Sequence, residues 1–236
     1  MKLKKVLAFF IVFIIVLQNL ATLAYATENV EGKTEETVEK SEVDESEIIT
    51  TLDSELKKYL IDLNNIDINN DGEISIQEIE NIESIYIVSS YSVKSLEGLQ
   101  YAKKLKIFSC YINSNNINLS LEPLYNLPNL KELSISVYNT NEAFDMSKLS
   151  NFKYLENLYI YGNIKNEYAL WDYTQLKILT INLNSDIDFN GIQNLNNLEQ
   201  LDIGINSNSN TIFDLNLIAN MTKLQNFRIN GQITNK

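Results

Sequence analysis

Residues 155–160 read Leu-Glu-Asn-Leu-Tyr-Ile, and this short apolar pattern decides the fold. The same Leu-x-x-Leu-x-Ile spacing, with conservative replacements, occurs seven times along the chain at start-to-start distances of 21 to 26 residues. The seven triplets are Ile82-Ile85-Ile87, Leu105-Phe108-Cys110, Leu130-Leu133-Ile135, Leu155-Leu158-Ile160, Leu176-Leu179-Ile181, Leu198-Leu201-Ile203 and Leu224-Phe227-Ile229. A period of this length is typical of stacked repeats, in which no unit can bury its apolar side alone.

Each unit combines two different apolar periods. The last two positions of a triplet alternate with polar residues, as in a β-strand. A second apolar series follows at spacing three, which favours a short 3₁₀ or helical turn, as at Leu121, Leu124, Leu127 and Leu130. One unit is therefore predicted to run strand, bend, short helix, bend, with all the strands aligned in one parallel sheet.

These triplets resemble the leucine-rich-repeat family, especially the short-repeat bacterial surface proteins of the internalin type. The resemblance covers residues 82–236 and implies an α/β repeat solenoid with a parallel concave sheet and a short 3₁₀ or helical convex side. In that family an Asn just after the strand commonly forms an inward ladder. The resemblance implies this role for Asn113, Asn163, Asn184 and Asn206, whereas Ser90, Tyr138 and Gln232 replace Asn in the other units.

The sharpest local motif precedes the repeats, in the twelve residues 67–78. They match an EF-hand loop, whose positions 1, 3 and 5 bind calcium through side-chain oxygens and whose position 7 uses its backbone carbonyl. Position 9 binds directly or through water, and a Glu at position 12 supplies two oxygens. The predicted Ca²⁺ ligands are Asp67, Asn69, Asp71, Glu73, Ser75 and Glu78.

The flanks of this loop predict a helix-loop-helix cap over residues 49–81. Apolar residues at helical spacing before the loop form one stripe, with Asp53 or Ser54 as the N-cap. Such a cap would seal the open edge of the solenoid. An alternative without a metal also accounts for the loop, because Asp, Asn and Gly serve tight turns and helix capping. Loss of thermal stability on chelation would distinguish the two.

The N-terminal residues are predicted not to belong to the fold. Lys2, Lys4 and Lys5 precede a short apolar run, and Ala24-Tyr25-Ala26 offers a signal-peptidase site, so residues 1–26 are predicted to be a signal peptide. The apolar run is too short to span a bilayer, so stable membrane insertion after cleavage is not expected. Residues 27–48 are acidic with few apolar side chains, which predicts a disordered spacer.

Composition excludes several classes of function. The chain of 236 residues has a formal net charge of −12 and no basic stripe, which argues against binding to nucleic acid. It contains no His, the usual general base, and no phosphate-binding loop or nucleophile motif, so we do not expect an enzyme. Cys110, the single Cys, occupies an inward triplet position and is predicted to be a small buried hydrophobe.

The residues between the triplet positions are expected to point outward from the concave sheet. Large amphipathic rings are enriched at binding hot spots, although Tyr is also a good strand residue. The outward residues predicted to contact a partner are Tyr86, Tyr111, Tyr159, Tyr161, Asp202 and Arg228.

The sequence thus predicts a secreted or cell-surface-associated protein that binds a protein or glycan through its concave face, with a structural calcium site. Three alternatives stay open. The chain is a structural or truncated repeat protein without its own ligand, it self-associates through a last repeat that shows no cap, or, least in keeping with its composition, it is a surface-associated enzyme.

Overall fold

The computed structural model describes residues 48–64, 66–206 and 209–235 of the chain. The predicted signal peptide and the predicted acidic spacer, apart from Ile48, lie outside this described part. Within it, no helix is both long and apolar enough to cross a membrane.

A seven-stranded parallel sheet runs through the described residues, in the order β1-β2-β3-β5-β7-β8-β10. Each of the seven triplets places its last two apolar residues on one of these strands, and the same triplet position is paired from strand to strand, as in Leu133 with Leu158. The strands are β1 Ser84–Ile87, β2 Ile107–Ile112, β3 Glu132–Val137, β4 Phe144–Asp145, β5 Asn157–Gly162, β6 Ile164–Lys165, β7 Ile178–Leu183, β8 Gln200–Ile205, β9 Ile212–Asp214, β10 Asn226–Asn230 and β11 Gln232–Thr234. The predicted strand ladder is confirmed.

Short 3₁₀ turns return the chain from one strand to the next, as the apolar spacing of three predicted. Two further parallel pairs, β4 with β6 and β9 with β11, stack additional parts of neighbouring units. The 3₁₀ turns are Leu99–Tyr101, Glu122–Leu124, Met146–Leu149, Glu167–Asp172, Ile192–Asn194 and Leu215–Ile218.

The core is one continuous cluster along the stacked units. Triplet residues such as Leu133, Leu158 and Leu179 are fully buried, and each buried Leu contributes roughly 1.5–3 kcal/mol relative to exposure. Cys110 is buried and unpaired, as predicted, and burial raises the pKa of its thiol to about 12. Trp171 is buried as well, so it belongs to the packing of its unit.

The expected inward Asn ladder is wrong. In five of the seven units, alternation along the strand buries the residue seven positions after the start of the triplet, for example Leu183 and Ile205. The residue eight positions after the start therefore turns outward: Asn184 and Asn206 are exposed, and Asn113 and Asn163 are half-buried. The inward amide is Asn116, which is buried and donates to the carbonyls of Val93 and Tyr111 at 3.3 and 3.1 Å.

Between residues 48 and 83 the described part contains two helices, α1 at Ser54–Asn64 and α2 at Ile76–Glu80. Asp53 is the N-cap of α1, since its Oδ1 accepts from the N–H groups of Glu55 and Leu56. The hydroxyl oxygen of Tyr59 on α1 accepts a 2.7 Å hydrogen bond from the backbone N–H of Tyr86. This contact satisfies a donor on the edge strand β1, which would otherwise be open to pairing.

Candidate functional site

The outward positions of the sheet form rows because the strands are parallel and in register. One row contains Tyr86, Ser109, Ser134, Tyr159, Thr180, Asp202 and Arg228. The next row contains Tyr111, Ser136, Tyr161, Asn182, Gly204 and Asn230. All six residues predicted to contact a partner therefore lie on the same face, in two adjacent rows.

The tyrosines gather at one end of this face. In the first row Tyr86 and Tyr159 are separated by two serines, so with strands about 4.8 Å apart their Cα atoms are roughly 14 Å apart. In the second row Tyr111 and Tyr161 are separated only by Ser136, a distance of roughly 10 Å. Small side chains thus lie between large rings, and the surface is recessed there.

A fifth ring, Tyr138, joins these four. It stacks on Tyr111 with ring centroids 5.6 Å apart, and Asn139 donates to the Tyr111 hydroxyl at 3.0 Å. Sequence reasoning missed this residue because it placed Tyr138 at a position of the expected inward Asn ladder. Tyr138 lies two residues after Ser136 and four after Ser134, and residues at even spacing along a strand share a face, which was the signal that it faces outward. We call Tyr86, Tyr111, Tyr138, Tyr159 and Tyr161 the tyrosine cluster, and Ser109, Ser134 and Ser136 the serine floor.

Two carboxylates act on the tyrosine cluster. Burial, then Glu132, raises the pKa of Tyr86; burial, then Glu132, Tyr161 and Asp202, raises that of Tyr159 to about 12. The pKa of Tyr161 is also raised, chiefly by burial and then by Tyr138 and the same two carboxylates. Burial is the larger cause for all three rings, and the two carboxylates add a smaller effect of negative charge.

Asp202 and Arg228 lie further along the same row, on β8 and β10. The Arg228 guanidinium is 3.8 Å from the Asp202 carboxylate, with the Arg side chain 83% exposed and the Asp side chain 19% exposed. Gln200 also donates to Asp202, at 2.8 Å. The pair marks the polar end of the face, where no cluster tyrosine reaches.

The loop at residues 67–78 is folded by its own side chains. Asp67 Oδ2 accepts from the Gly72 N–H at 3.0 Å, and Asp67 Oδ1 and Asn69 Oδ1 both accept from the Asp71 N–H. Asp71 Oδ1 accepts from the Glu73 N–H at 2.7 Å. The side-chain oxygens at positions 1 and 3 therefore meet at one donor inside the turn.

Glu78 closes this loop. Its Oε1 accepts from the Ile68 N–H at 2.8 Å, and its Oε2 accepts from both the N–H and the hydroxyl of Ser75 at 2.9 Å. Together with the bond from the Glu78 N–H to Ser75 Oγ, this makes a capping box at the start of α2. In the described residues no three Asp, Glu, Cys or His side chains converge as around a bound ion.

The donor set nevertheless fits calcium, which prefers oxygen ligands from carboxylates, amides, hydroxyls and carbonyls. Glu73 agrees with this chemistry, because its carboxylate pairs with Lys57 at 2.7 Å, leaving only its carbonyl for position 7. Ile74 at position 8 meets the chain's own N-terminal segment: the Ile49 N–H donates to the Ile74 carbonyl at 2.9 Å. An antiparallel bridge between Ile48 and Ser75 extends this contact.

A second recess, which sequence reasoning did not find, lies beside the strand starts and has a volume of about 330 Å³. The residues just before the strands alternate in charge here, and Lys131 and Lys177 both pair with Glu156, at 2.8 and 2.6 Å. The lining residues include Lys153, Tyr154, Glu199 and Lys223. Four lysines and two glutamates line it, so this recess has a net positive charge.

Comparison with known proteins identifies the fold of the chain. No protein-family model and no curated protein sequence matches the chain. Among solved structures, internalin C2 from Listeria monocytogenes is 20% identical with a TM-score of 0.52, and the match covers 78% of this chain and 86% of that one. An internalin (inlF) from the same organism is 25% identical with a TM-score of 0.52, covering 78% of this chain and 58% of that one. The fold is a leucine-rich-repeat solenoid.

Proposed function

We propose that this leucine-rich-repeat protein is an exported binding protein that recognises a protein or glycan partner through the tyrosine cluster. The observation that carries the proposal is the gathering of five rings around the serine floor, from β1, β2, β5 and the residue that follows β3. The rings reach the patch from four units, although strand propensity alone would distribute Tyr over both ends of the face.

The physical support is pre-organisation. A binding site gains affinity when its side chains do not have to be ordered on association. The strands that carry the cluster are held by a fully buried core, and Tyr138 is held by stacking on Tyr111. Tyrosine combines a large apolar area with a hydroxyl group, which suits it to an interface hot spot.

Binding is proposed rather than catalysis. The chain has no His, and its single thiol is buried with a raised pKa, so it is a poor nucleophile. The export that we propose rests on the predicted signal peptide at residues 1–26.

Calcium binding by the loop at residues 67–78, which we call the head loop, is part of the proposal. Asp67, Asn69, Asp71, the Glu73 carbonyl, Ser75 and Glu78 would hold the ion, and it would neutralise the acidic side chains of the turn. The loop connects α1 to α2, and α1 carries the Tyr59 contact to β1. We therefore propose a structural role, in which the ion fixes the cap against the first strand.

The test is to immobilise the purified protein and compare the partners retained by three versions. We expect Tyr159→Ala combined with Tyr161→Ala to lose, by roughly 30-fold or more, a partner that the unchanged protein retains, since truncating a hot spot costs about 2 kcal/mol or more. Tyr168→Ala is the matched control, because Tyr168 is 64% exposed and lies outside the sheet. Equal retention by all three versions, with unchanged melting, contradicts the proposal.

A further inference from the structure

We propose that the tyrosine cluster binds a cationic side chain, Lys or Arg, presented by a partner protein, with the charged head over Ser109 and Ser134 and beside Glu132. This inference rests on the proposed function and specifies the chemistry of the partner. It follows from the shape, the charge and the apolar rim of the recess.

The recess is the right kind of space for one side chain. Ser109 and Ser134 are adjacent in register, and Tyr86 and Tyr159 occupy the same row on either side of them. Tyr111 and Tyr161 of the next row, with Tyr138 stacked on Tyr111, close one end. The faces of aromatic rings carry negative potential, so a cation placed among them is attracted.

The charges on this face favour a cation from outside. From β1 to β8 the outward positions of the sheet include the acids Glu132 and Asp202 and no Lys or Arg. The first cation in the rows is Arg228, which lies near Asp202. Glu132 receives a hydrogen bond from the Asn157 amide at 3.3 Å, but it has no ion pair with any residue of the described part.

The pKa values of the cluster hydroxyl groups also depend on Glu132. The pKa of Tyr86 and that of Tyr159 are raised by burial and, next, by Glu132. Burial, the larger cause, opposes a charge of either sign, whereas the contribution of Glu132 favours a positive charge between the rings. A neutral sugar would stack on the rings but would gain nothing from this field.

The rim adds an apolar contact for the stem of the incoming side chain. Ile107 is paired in register with Glu132, so an aliphatic group and a carboxylate lie side by side on adjacent strands. Lys and Arg bury their methylene stems on apolar surface while their heads meet polar groups. A basic side chain uses both neighbours at once, whereas an acidic or purely apolar one does not.

The experiment is selection of ligands for the purified protein from a random displayed dodecapeptide library, in parallel with a glycan array, at low salt. We expect the selected peptides to share one Lys or Arg. We expect Glu132→Gln to weaken their binding roughly fivefold, in keeping with an ion pair of moderate exposure. Glu97→Gln, which removes an exposed carboxylate away from the strands, is the matched control and should change little. Added salt should weaken binding to the unchanged protein more than to Glu132→Gln.

The other outcomes separate the two proposals. Some selected peptides or glycans could lose binding to Tyr159→Ala but bind Glu132→Gln as well as the unchanged protein. That result would overturn the proposal of a cationic partner and leave the proposed function in place. Failure of every ligand to depend on Tyr159 would overturn the proposed function itself.

A second variant tests the recess through thermal stability as well as peptide binding, so the proposal stays testable if Tyr159→Ala fails to fold. Ser134→Lys places a tethered ammonium group between Tyr86 and Tyr159. We expect it to melt at or above the temperature of the unchanged protein, to lose peptide binding, and to become less stable when Glu132→Gln is added. A Ser134→Lys variant that unfolds more easily while Ser134→Gln does not would overturn the cation site.

Discussion

The head loop and the tyrosine cluster are two candidate sites built in opposite ways. The loop takes all its proposed ligands from twelve consecutive residues and is folded by hydrogen bonds between neighbours in sequence. The cluster takes its rings from positions as far apart as Tyr86 and Tyr161, which are brought together only by strand register. The comparison shows that a local site depends on its own turn chemistry, whereas a distributed site depends on the stacking of every repeat between its members.

The largest expected effect is a difference in stability between substitutions at two glycines, Gly162 next to Tyr161 of the cluster and Gly72 in the head loop. Gly162 has φ +107°, and a Cβ there would lie 2.0 Å from the Val137 carbonyl oxygen, whereas Gly72 has φ +79° with nothing within 4 Å. We expect Gly162→Ala to lower the free energy of unfolding by at least about 3 kcal/mol. Gly72→Ala should cost only about 1 kcal/mol, from backbone conformation alone. Urea denaturation measures both, and equal losses would contradict the comparison.

Metal removal is the next test and concerns the loop alone. With calcium at about 100 times its dissociation constant, binding adds about 2.7 kcal/mol, so chelation should lower the melting temperature by roughly 5 to 10 °C. Glu78→Gln should abolish this calcium-dependent shift. In chelator, the Gln oxygen can still accept from Ser75 in the capping box, but the amide nitrogen cannot accept from the Ile68 N–H. The variant should therefore melt somewhat below the unchanged protein in chelator, and the loss of the calcium-dependent shift is the readout. Identical melting with and without calcium in the unchanged protein would favour the metal-free capping turn.

The cluster has its own signature in alkaline titration. Tyr159 has a folded pKa of about 12, raised from its ordinary value of 10.0, so the folded state keeps the proton that the unfolded state releases. The stability that this proton contributes is complete below pH 10 and is lost as the pH rises toward 12. Tyr159→Phe should flatten this decline, measured as melting temperature against pH. An unchanged slope in the variant would show that the Tyr159 hydroxyl is neither buried nor beside Glu132 in the folded protein.

The smallest expected effect sharpens the account of the loop. The Glu73 carboxylate faces Lys57 at the surface, and position 7 needs only its carbonyl. Glu73→Gln should therefore change the unfolding free energy by less than about 1 kcal/mol, as for an exposed ion pair. Its calcium affinity, measured by calorimetry, should stay within about threefold of the unchanged protein, since no proposed ligand atom is lost. A much larger loss of affinity would assign the carboxylate itself to the ion.

The predictions from sequence were correct where apolar periodicity alone decides the structure, and wrong where the exact end of a strand decides it. The strand ladder, the 3₁₀ turns and the burial of Cys110 were predicted correctly because apolar periodicity reports them directly. The inward Asn ladder was wrong because the strands continue for one more inward residue, such as Leu183, which reverses the side of the next position. Tyr138 was missed for the same reason.

The sequence by itself determined the repeat, the direction in which each triplet is buried and the order of oxygen donors in the head loop. These depend on periods of two and three residues and on contacts between close neighbours, which the chain cannot avoid forming. Only the tertiary structure decided which outward residues are adjacent. Unequal repeat lengths are absorbed in the bends, so the pairing of strands, and not the spacing in sequence, sets five tyrosines around three serines beside Glu132.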